Sequence, residues 1–171
     1  MSKSSKSLKL FTFFGIIFTL TLGTLGHFFY EWSGNNYVVG LFFATNESVW
    51  EHIKLALFPM FLYFIIAGVF VKGINNYFAG FFLAMLSVIL LIPAMFYGYT
   101  AIAGKSIIAI DIAIFVLSVI IGFLVAMAIF KSQYMRALNF LSIIGIAVII
   151  ICFMTFTYNP PDWIIFDDPT K

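Results

Sequence analysis

The chain has 171 residues, of which 63% are hydrophobic and 9% charged, with a formal net charge of +2. Soluble domains carry roughly 25% charged residues, so this chain has too little polar surface to cover a water-soluble globule. Its few cations form no basic patch dense enough for nucleic acid. Its single cysteine excludes an intramolecular disulfide and a zinc-thiolate cluster. The length allows one domain, which we expect to be a single transmembrane domain covering residues 1–171.

Residues 10–30 form the first predicted transmembrane helix. The run is about as long as the hydrocarbon core of a bilayer requires, and it lacks the short apolar region and cleavage site of a signal peptide. Gly15, Thr19 and Gly23 place small side chains one turn apart, which lets a neighbouring helix approach closely. The same face is a candidate surface for oligomer formation.

The segment between the first two spans is predicted to be interfacial or re-entrant. Gly34-Asn35-Asn36 is a turn signal, and residues 37–43 are apolar but too short to cross a bilayer. A re-entrant segment requires neighbours, because backbone groups in hydrocarbon need protein or water as hydrogen-bond partners.

Four further transmembrane helices are predicted after this segment. They cover residues 47–71, 77–100, 106–130 and 137–158. Ser48 and Glu51 match the capping box that starts a helix, whereas Pro59 and Pro93 should kink the helices that contain them. The outer tail, residues 159–171, follows. The sequence therefore predicts an all-α integral membrane bundle of five transmembrane helices.

The loop charges orient this bundle. Five spans put the termini on opposite sides of the membrane. With the N-terminus inside, six Lys or Arg residues fall in cytoplasmic segments and three fall outside, as the positive-inside rule requires. The six are Lys3, Lys6, Lys9, Lys72, Lys131 and Arg136. We therefore expect the N-terminus in the cytoplasm and the C-terminus outside.

This topology brings polar side chains from all five helices to the extracytoplasmic half of the membrane. An ionisable group inside a span is costly and is a functional-site hypothesis by default. The residues of the predicted ligand pocket are His27, Glu31, Asn46, Glu47, Glu51, His52, Lys54, Tyr97, Tyr99 and Asp111.

Four of these residues are candidate metal ligands. His27 and Glu31 have the i,i+4 spacing that puts two ligands on one helical face. Glu51 and His52 diverge by about 100°, so both could serve one site only from its rim. Imidazole with carboxylate suits zinc and related divalent metals, and a bound metal could activate water for hydrolysis.

The same residues also have purely structural interpretations. Glu51 could cap the second helix or pair with Lys54, and His27 could be a hydrogen-bonded contact between helices. Asp111 could form a structural pair with His27, Lys54 or a tyrosine hydroxyl. Trp32 could belong to the aromatic belt at the membrane interface.

The tail begins at Pro160-Pro161, which ends the last predicted helix. Residues 163–166 are apolar but too short to span a membrane. They could cover the polar pocket as a lid, or they could serve only as an anchor in the membrane interface.

Two motifs, HFFYEWSGN at residues 27–35 and NESVWEHIKL at residues 46–55, resemble a family of small bacterial multi-pass membrane proteins of unknown function. The similarity covers nearly the whole chain, including Asp111 and the Pro160-Pro161 tail. It implies a location in the bacterial inner membrane. It supplies no activity and no catalytic residues.

Three functions remain open. In the first, the chain is a binding or accessory protein that takes a partner, a lipid or a small molecule at the outer face. In the second, it is a metal-dependent hydrolase at the outer leaflet, with Glu47 or Asp111 as general base. In the third, it is a transporter that uses Pro59 and Pro93 as hinges, although the cytoplasmic half lacks polar groups to line an exit.

Overall fold

The computed structural model describes residues 3–70, 74, 76–132 and 138–169. The helices of this part of the chain are α1 (Lys3–Trp32), α2 (Tyr37–Phe42), α3 (Val49–Gly68), α4 (Tyr77–Ala103), α5 (Ile108–Lys131) and α6 (Asn139–Tyr158). A 3-10 turn, Ile164–Phe166, lies in the tail. The described residues contain no β-strand, so the prediction of an all-α fold is confirmed.

Five helices are long and apolar enough to cross a membrane. They are Lys6–Trp32 within α1, and the whole of α3, α4, α5 and α6. The five predicted spans are therefore confirmed as helices of membrane-spanning length and composition. The short helix α2, with six residues, falls in the segment that was predicted to be interfacial or re-entrant.

Local capping sets where several helices begin and end. The helix predicted to start at residue 47 starts at Val49, because Ser48 is its N-cap and accepts a hydrogen bond from Glu51 N. α4 continues to Ala103 and stops at Gly104, whose φ of +71° is a left-handed conformation that glycine adopts without strain.

Some predicted boundaries lie outside the described residues. They are the end of the second predicted helix at Val71, the Lys72-Gly73 turn, residues 133–136 of the following loop, and the start of the last predicted helix at Ala137.

Four helices, α1, α3, α4 and α5, form a closed ring of contacts. α1 packs on α3 and α5, and α4 also packs on both of them, whereas α6 lies outside the ring against α4 and α2. α3 is the most buried of the five long helices. Its Phe64 ring stacks on Phe81 of α4 at 4.5 Å and on Phe123 of α5 at 5.4 Å between ring centroids.

The small-residue face of α1 is packed within the chain. A Cβ at Gly15 would collide with the rings of Phe123 and Tyr63, and one at Gly23 would collide with the carbonyl oxygen of Leu55. That oxygen lacks its usual helical donor, because Pro59, four residues later, has no N–H. The face proposed for oligomer formation is therefore occupied by α3 and α5.

The polar ends of the five long helices lie at one end of the bundle. His27 of α1 faces His52 of α3, with ring centroids 5.4 Å apart. Tyr99 of α4 bonds to Asp111 of α5, and Thr157 of α6 bonds to Lys54 of α3. These contacts join the C-terminal ends of α1, α4 and α6 to the N-terminal ends of α3 and α5.

Candidate metal centre

Three side chains at this end of the bundle converge on one point. His27 comes from α1, Glu47 from the loop before α3, and His52 from the first turn of α3. One ligand atom of each lies within 4.8 Å of the other two. Glu47 Oε2 is 3.4 Å from His52 Nε2, and Glu47 Oε1 is 3.9 Å from His27 Nε2. We call these three residues the His–Glu–His cluster.

The start of α3 orients two members of the cluster. Asn46 Oδ1 accepts a hydrogen bond from Ser48 N at 2.9 Å, which folds the loop around Glu47. His52 Nδ1 lies 2.9 Å from Ser48 O. Because a carbonyl oxygen only accepts, Nδ1 carries the proton, and the lone pair of the neutral ring is on Nε2. This arrangement is the usual second-sphere support of a metal-binding histidine.

The cluster is open to solvent on one side. The side chains of His27, Glu47 and His52 are 35%, 47% and 38% exposed. His27 Nδ1 is buried and has no hydrogen-bond partner among the residues that the structure describes. Because the three side chains are partly exposed, a cation could reach the cluster from water, and further ligands could bind it from that side.

The spacing suits a small divalent metal. Tetrahedral zinc with bonds of about 2.0–2.1 Å requires ligand atoms about 3.3–3.4 Å apart. Glu47 Oε2 and His52 Nε2 already have this separation, whereas Glu47 Oε1 and His27 Nε2 are 3.9 Å apart and the three ligand atoms together lie within 4.8 Å, so a bound zinc would draw His27 inward. Two histidines and one carboxylate form a known zinc ligand set, which leaves a fourth position for water or another ligand.

Glu51 and Lys54 lie outside the cluster, although both belong to the predicted pocket. Lys54 Nζ is 2.7 Å from Glu51 Oε2, and their side chains are 0% and 2% exposed. Lys54 also donates to Gly40 O and Thr157 Oγ1. Glu51, a predicted metal ligand, is therefore engaged in a buried ion pair, which corresponds to its structural interpretation.

Glu31, the second predicted metal ligand that lies outside the cluster, is exposed at the end of α1. It lies one helical turn beyond His27 and is not among the three residues of the cluster.

Asp111 and Tyr99 belong to a third group, at the turn between α4 and α5. The Asp111 carboxylate accepts hydrogen bonds from the Tyr99 hydroxyl and from Ser106 Oγ, the latter at 2.6 Å. The Tyr99 oxygen accepts one from Ile107 N at 2.9 Å. Tyr97 instead donates to Ile164 O of the tail at 3.1 Å. Asp111 thus makes the structural pair with a tyrosine hydroxyl that was one of its interpretations.

The described part of the tail covers a different face of α3. The Trp50 ring stacks on Phe153 at 3.9 Å and lies 4.6 Å from the Phe166 ring, between ring centroids. Trp50 and His52 diverge by about 200° around the helix. The 3-10 turn therefore lies over the side of α3 opposite the His–Glu–His cluster.

Two apolar grooves lie between helices of the described residues. One, of about 450 Å³, is lined by α1 together with Tyr63 of α3. The other lies between Leu22, α2 and α3. Neither contains a residue of the predicted polar pocket. Most residues of the predicted polar pocket instead divide into the cluster, the buried pair and the α4–α5 turn, whereas Glu31 is exposed and Tyr97 bonds to the tail.

No sequence pattern indicated Gly40, Thr45 and Thr157, whose hydrogen bonds complete the buried pair. Threonine and glycine are common in membrane helices, and Thr157 lies 103 residues from its partner Lys54.

Comparison with known proteins adds a family. A family described as "Family of unknown function (DUF6512)" matches residues 1–171. No curated protein and no solved structure matches the chain.

Proposed function

We propose that this chain, which belongs to the family of unknown function DUF6512, is an integral membrane protein that binds one divalent metal ion. His27, Glu47 and His52 hold the ion, for which zinc is the best-suited common metal. The observation that carries the proposal is the convergence of their ligand atoms to within 4.8 Å. The loaded site then recognises a partner or a small ligand, such as a lipid, at the membrane surface.

This ligand set differs from the one expected from spacing. Glu47 takes the place of Glu31 and Glu51, because Glu51 is held by Lys54 and Glu31 lies one turn farther along α1. Metal binding requires neutral imidazole and ionised carboxylate, so affinity should fall as the pH is lowered.

The proposal includes an orientation and a location. The loop charges support a cytoplasmic N-terminus, which puts the cluster at the extracytoplasmic face of a single transmembrane domain. The similarity of the two motifs to bacterial proteins supports the bacterial inner membrane as its location.

Zinc titration of the purified protein tests the proposal. Wild-type protein should bind one zinc per chain in competition with a chromogenic chelator. His27→Gln, Glu47→Gln and His52→Gln should each weaken binding by at least about tenfold, since each removes a ligand. Glu31→Gln is the matched control and should retain the wild-type affinity. Equal zinc binding by all five proteins would refute the site.

Metal-dependent hydrolysis at the outer leaflet is a second candidate function. It is favoured by the number of protein ligands, because three ligands leave a position at which metal-bound water could form. Glu47 would then be a ligand rather than the general base. Zinc-dependent release of p-nitrophenolate from p-nitrophenyl acetate, lost in His52→Gln, would support hydrolysis over binding alone.

A further inference from the structure

A buried ion pair adjoins the proposed metal ligands at the start of α3. The pair is Glu51 and Lys54, whose side chains are 2% and 0% exposed. Desolvating two charges costs energy that their attraction barely repays, and apolar side chains of similar volume are often as stabilising. Ionisable groups inside a span are accordingly rare. Stability alone therefore does not account for this pair.

Every donor of the Lys54 ammonium group has a partner. Nζ donates to Glu51 Oε2 at 2.7 Å, to Gly40 O at 2.7 Å and to Thr157 Oγ1 at 2.9 Å, and an ammonium group has three donors. These acceptors belong to α3, α2 and α6. Lys54 thereby joins three helices at one point.

Glu51 extends the network to the loop that carries Glu47. Its Oε2 accepts hydrogen bonds from Thr45 N at 2.8 Å and Thr45 Oγ1 at 3.0 Å. Its backbone N–H donates to Ser48 Oγ at 3.3 Å. The Glu51 carboxylate therefore holds the chain before Glu47, and the Glu51 backbone N–H holds the N-cap after it. His52 depends on the same cap, because its Nδ1 bonds to Ser48 O.

We propose that the Glu51–Lys54 pair positions the metal ligands Glu47 and His52, and that Thr157 couples the site to α6. This inference rests on the proposed metal-binding function. Groups that hydrogen-bond to metal ligands and orient them affect metal affinity, although they do not contact the ion themselves. The pair acts in this way through the Glu51 carboxylate, which holds Thr45 in the loop, and through Lys54, which anchors the start of α3 to α2 and α6.

A substitution at Thr157 alters the hydrogen-bond network without changing the sequence of α3. Its Oγ1 accepts from Lys54 Nζ and lies 3.3 Å from Glu51 Oε1. Without this hydroxyl, one Lys54 donor is buried and unpaired, which is costly. The pair then shifts toward new partners, and Glu47 and His52 lose their alignment.

Three threonine variants of the full-length protein distinguish a positioning role from a general effect on stability. Each variant is titrated with zinc and with cobalt. Thr157→Val removes the hydroxyl at nearly constant volume, and Thr157→Ser retains it. Thr19→Val is the matched control, because Thr19 is fully buried and its hydroxyl has no partner within the described part of the chain. Zinc affinity, the visible spectrum of bound Co²⁺ and the apo-protein Tm are measured for each.

Thr157→Val should weaken zinc binding by about tenfold, the lower end of the range for residues that support metal ligands, and should change the Co²⁺ spectrum. Thr157→Ser and Thr19→Val should keep the wild-type affinity and spectrum, even if Tm falls. If Thr157→Val does not fold, Thr45→Val replaces it, because it removes one of the two Thr45 hydrogen bonds to Glu51 and should also weaken zinc binding.

The experiment distinguishes failure of the positioning role from failure of the metal site. If the wild-type protein binds zinc and Thr157→Val binds it equally well with an unchanged Co²⁺ spectrum, the positioning role is overturned while the metal site stands. If the wild-type protein binds no zinc, the metal site is overturned and the positioning role with it.

Discussion

Lys54 Nζ and Glu51 Oε2 are 2.7 Å apart, in an ion pair that is almost completely buried. The two residues follow one another by three positions at the start of α3, the most buried of the five long helices. Each charge is compensated by the other and by hydrogen bonds to α2, α6 and the loop before α3. The pair therefore belongs to the interior of the protein, beside the exposed His–Glu–His cluster.

Replacing one partner of this pair should be strongly destabilising. Lys54→Met should lower the free energy of unfolding by about 3–5 kcal/mol, because it leaves Glu51 buried without a counter-ion. Adding Glu51→Gln should restore much of the loss, since glutamine is neutral and similar in length. Unfolding in detergent micelles measures the free energy of unfolding of the single and the double variant. Lys105→Met, at an exposed position, is the control, and an equal loss there would contradict the prediction.

Close packing of α1 against α3 should make Gly23 sensitive to a single methyl group. Gly23→Ala should cost about 1–3 kcal/mol, the usual range for overpacking, because its Cβ would collide with Leu55 O. Gly98→Ala on α4 meets no atom within 4 Å and should be neutral or slightly stabilising. Thermal unfolding compares the two, and similar Tm values would argue against the close approach.

The Tyr99 hydroxyl should stabilise the α4–α5 turn without affecting the metal. Tyr99→Phe removes its bonds to Asp111 and to Ile107 N. It should cost about 0.5–1.5 kcal/mol, the net contribution of a typical hydrogen bond, because its partners are partly exposed, and it should speed hydrogen exchange at the Ile107 amide. Zinc affinity should not change. A large loss of zinc affinity would instead implicate Asp111 in the metal site.

Removal of the tail should expose Trp50 and leave metal binding intact. Deleting residues 160–171 uncovers the Trp50 ring, which lies 4.6 Å from the Phe166 ring, so its fluorescence should shift to the red. The measurement uses a Trp32→Phe/Trp163→Phe background, in which Trp50 is the single tryptophan before and after truncation. The apolar tail contacts the face of α3 opposite His52, so zinc affinity should be unchanged. Weaker zinc binding would support the lid hypothesis.

The length of the apolar runs was sufficient to predict five helices of membrane-spanning length. It also predicted that polar residues gather at one end, because alternating helix directions bring the end of α1 beside the start of α3. These two properties follow from spacing along the chain. The partners of individual side chains do not.

Glu47 and Glu51 illustrate why the site itself was harder to predict. They are four residues apart, which is about one turn of the predicted helix 47–71, but Glu47 precedes the Ser48 cap and lies outside α3. Its direction is set by the loop, so helical periodicity does not apply to it. The partner of Lys54 on α6, Thr157, is likewise a tertiary contact for which no local pattern exists.

X-ray absorption at the zinc edge of the loaded protein tests the metal site most directly. We expect about one zinc per chain, with two imidazole nitrogens and carboxylate or water oxygen at about 2.0–2.1 Å. The imidazole signal should disappear in the His27→Gln/His52→Gln double variant. Zinc far below one per chain in the wild type, or a wild-type spectrum in which the zinc has oxygen ligands and no imidazole, would contradict a metal centre at His27, Glu47 and His52.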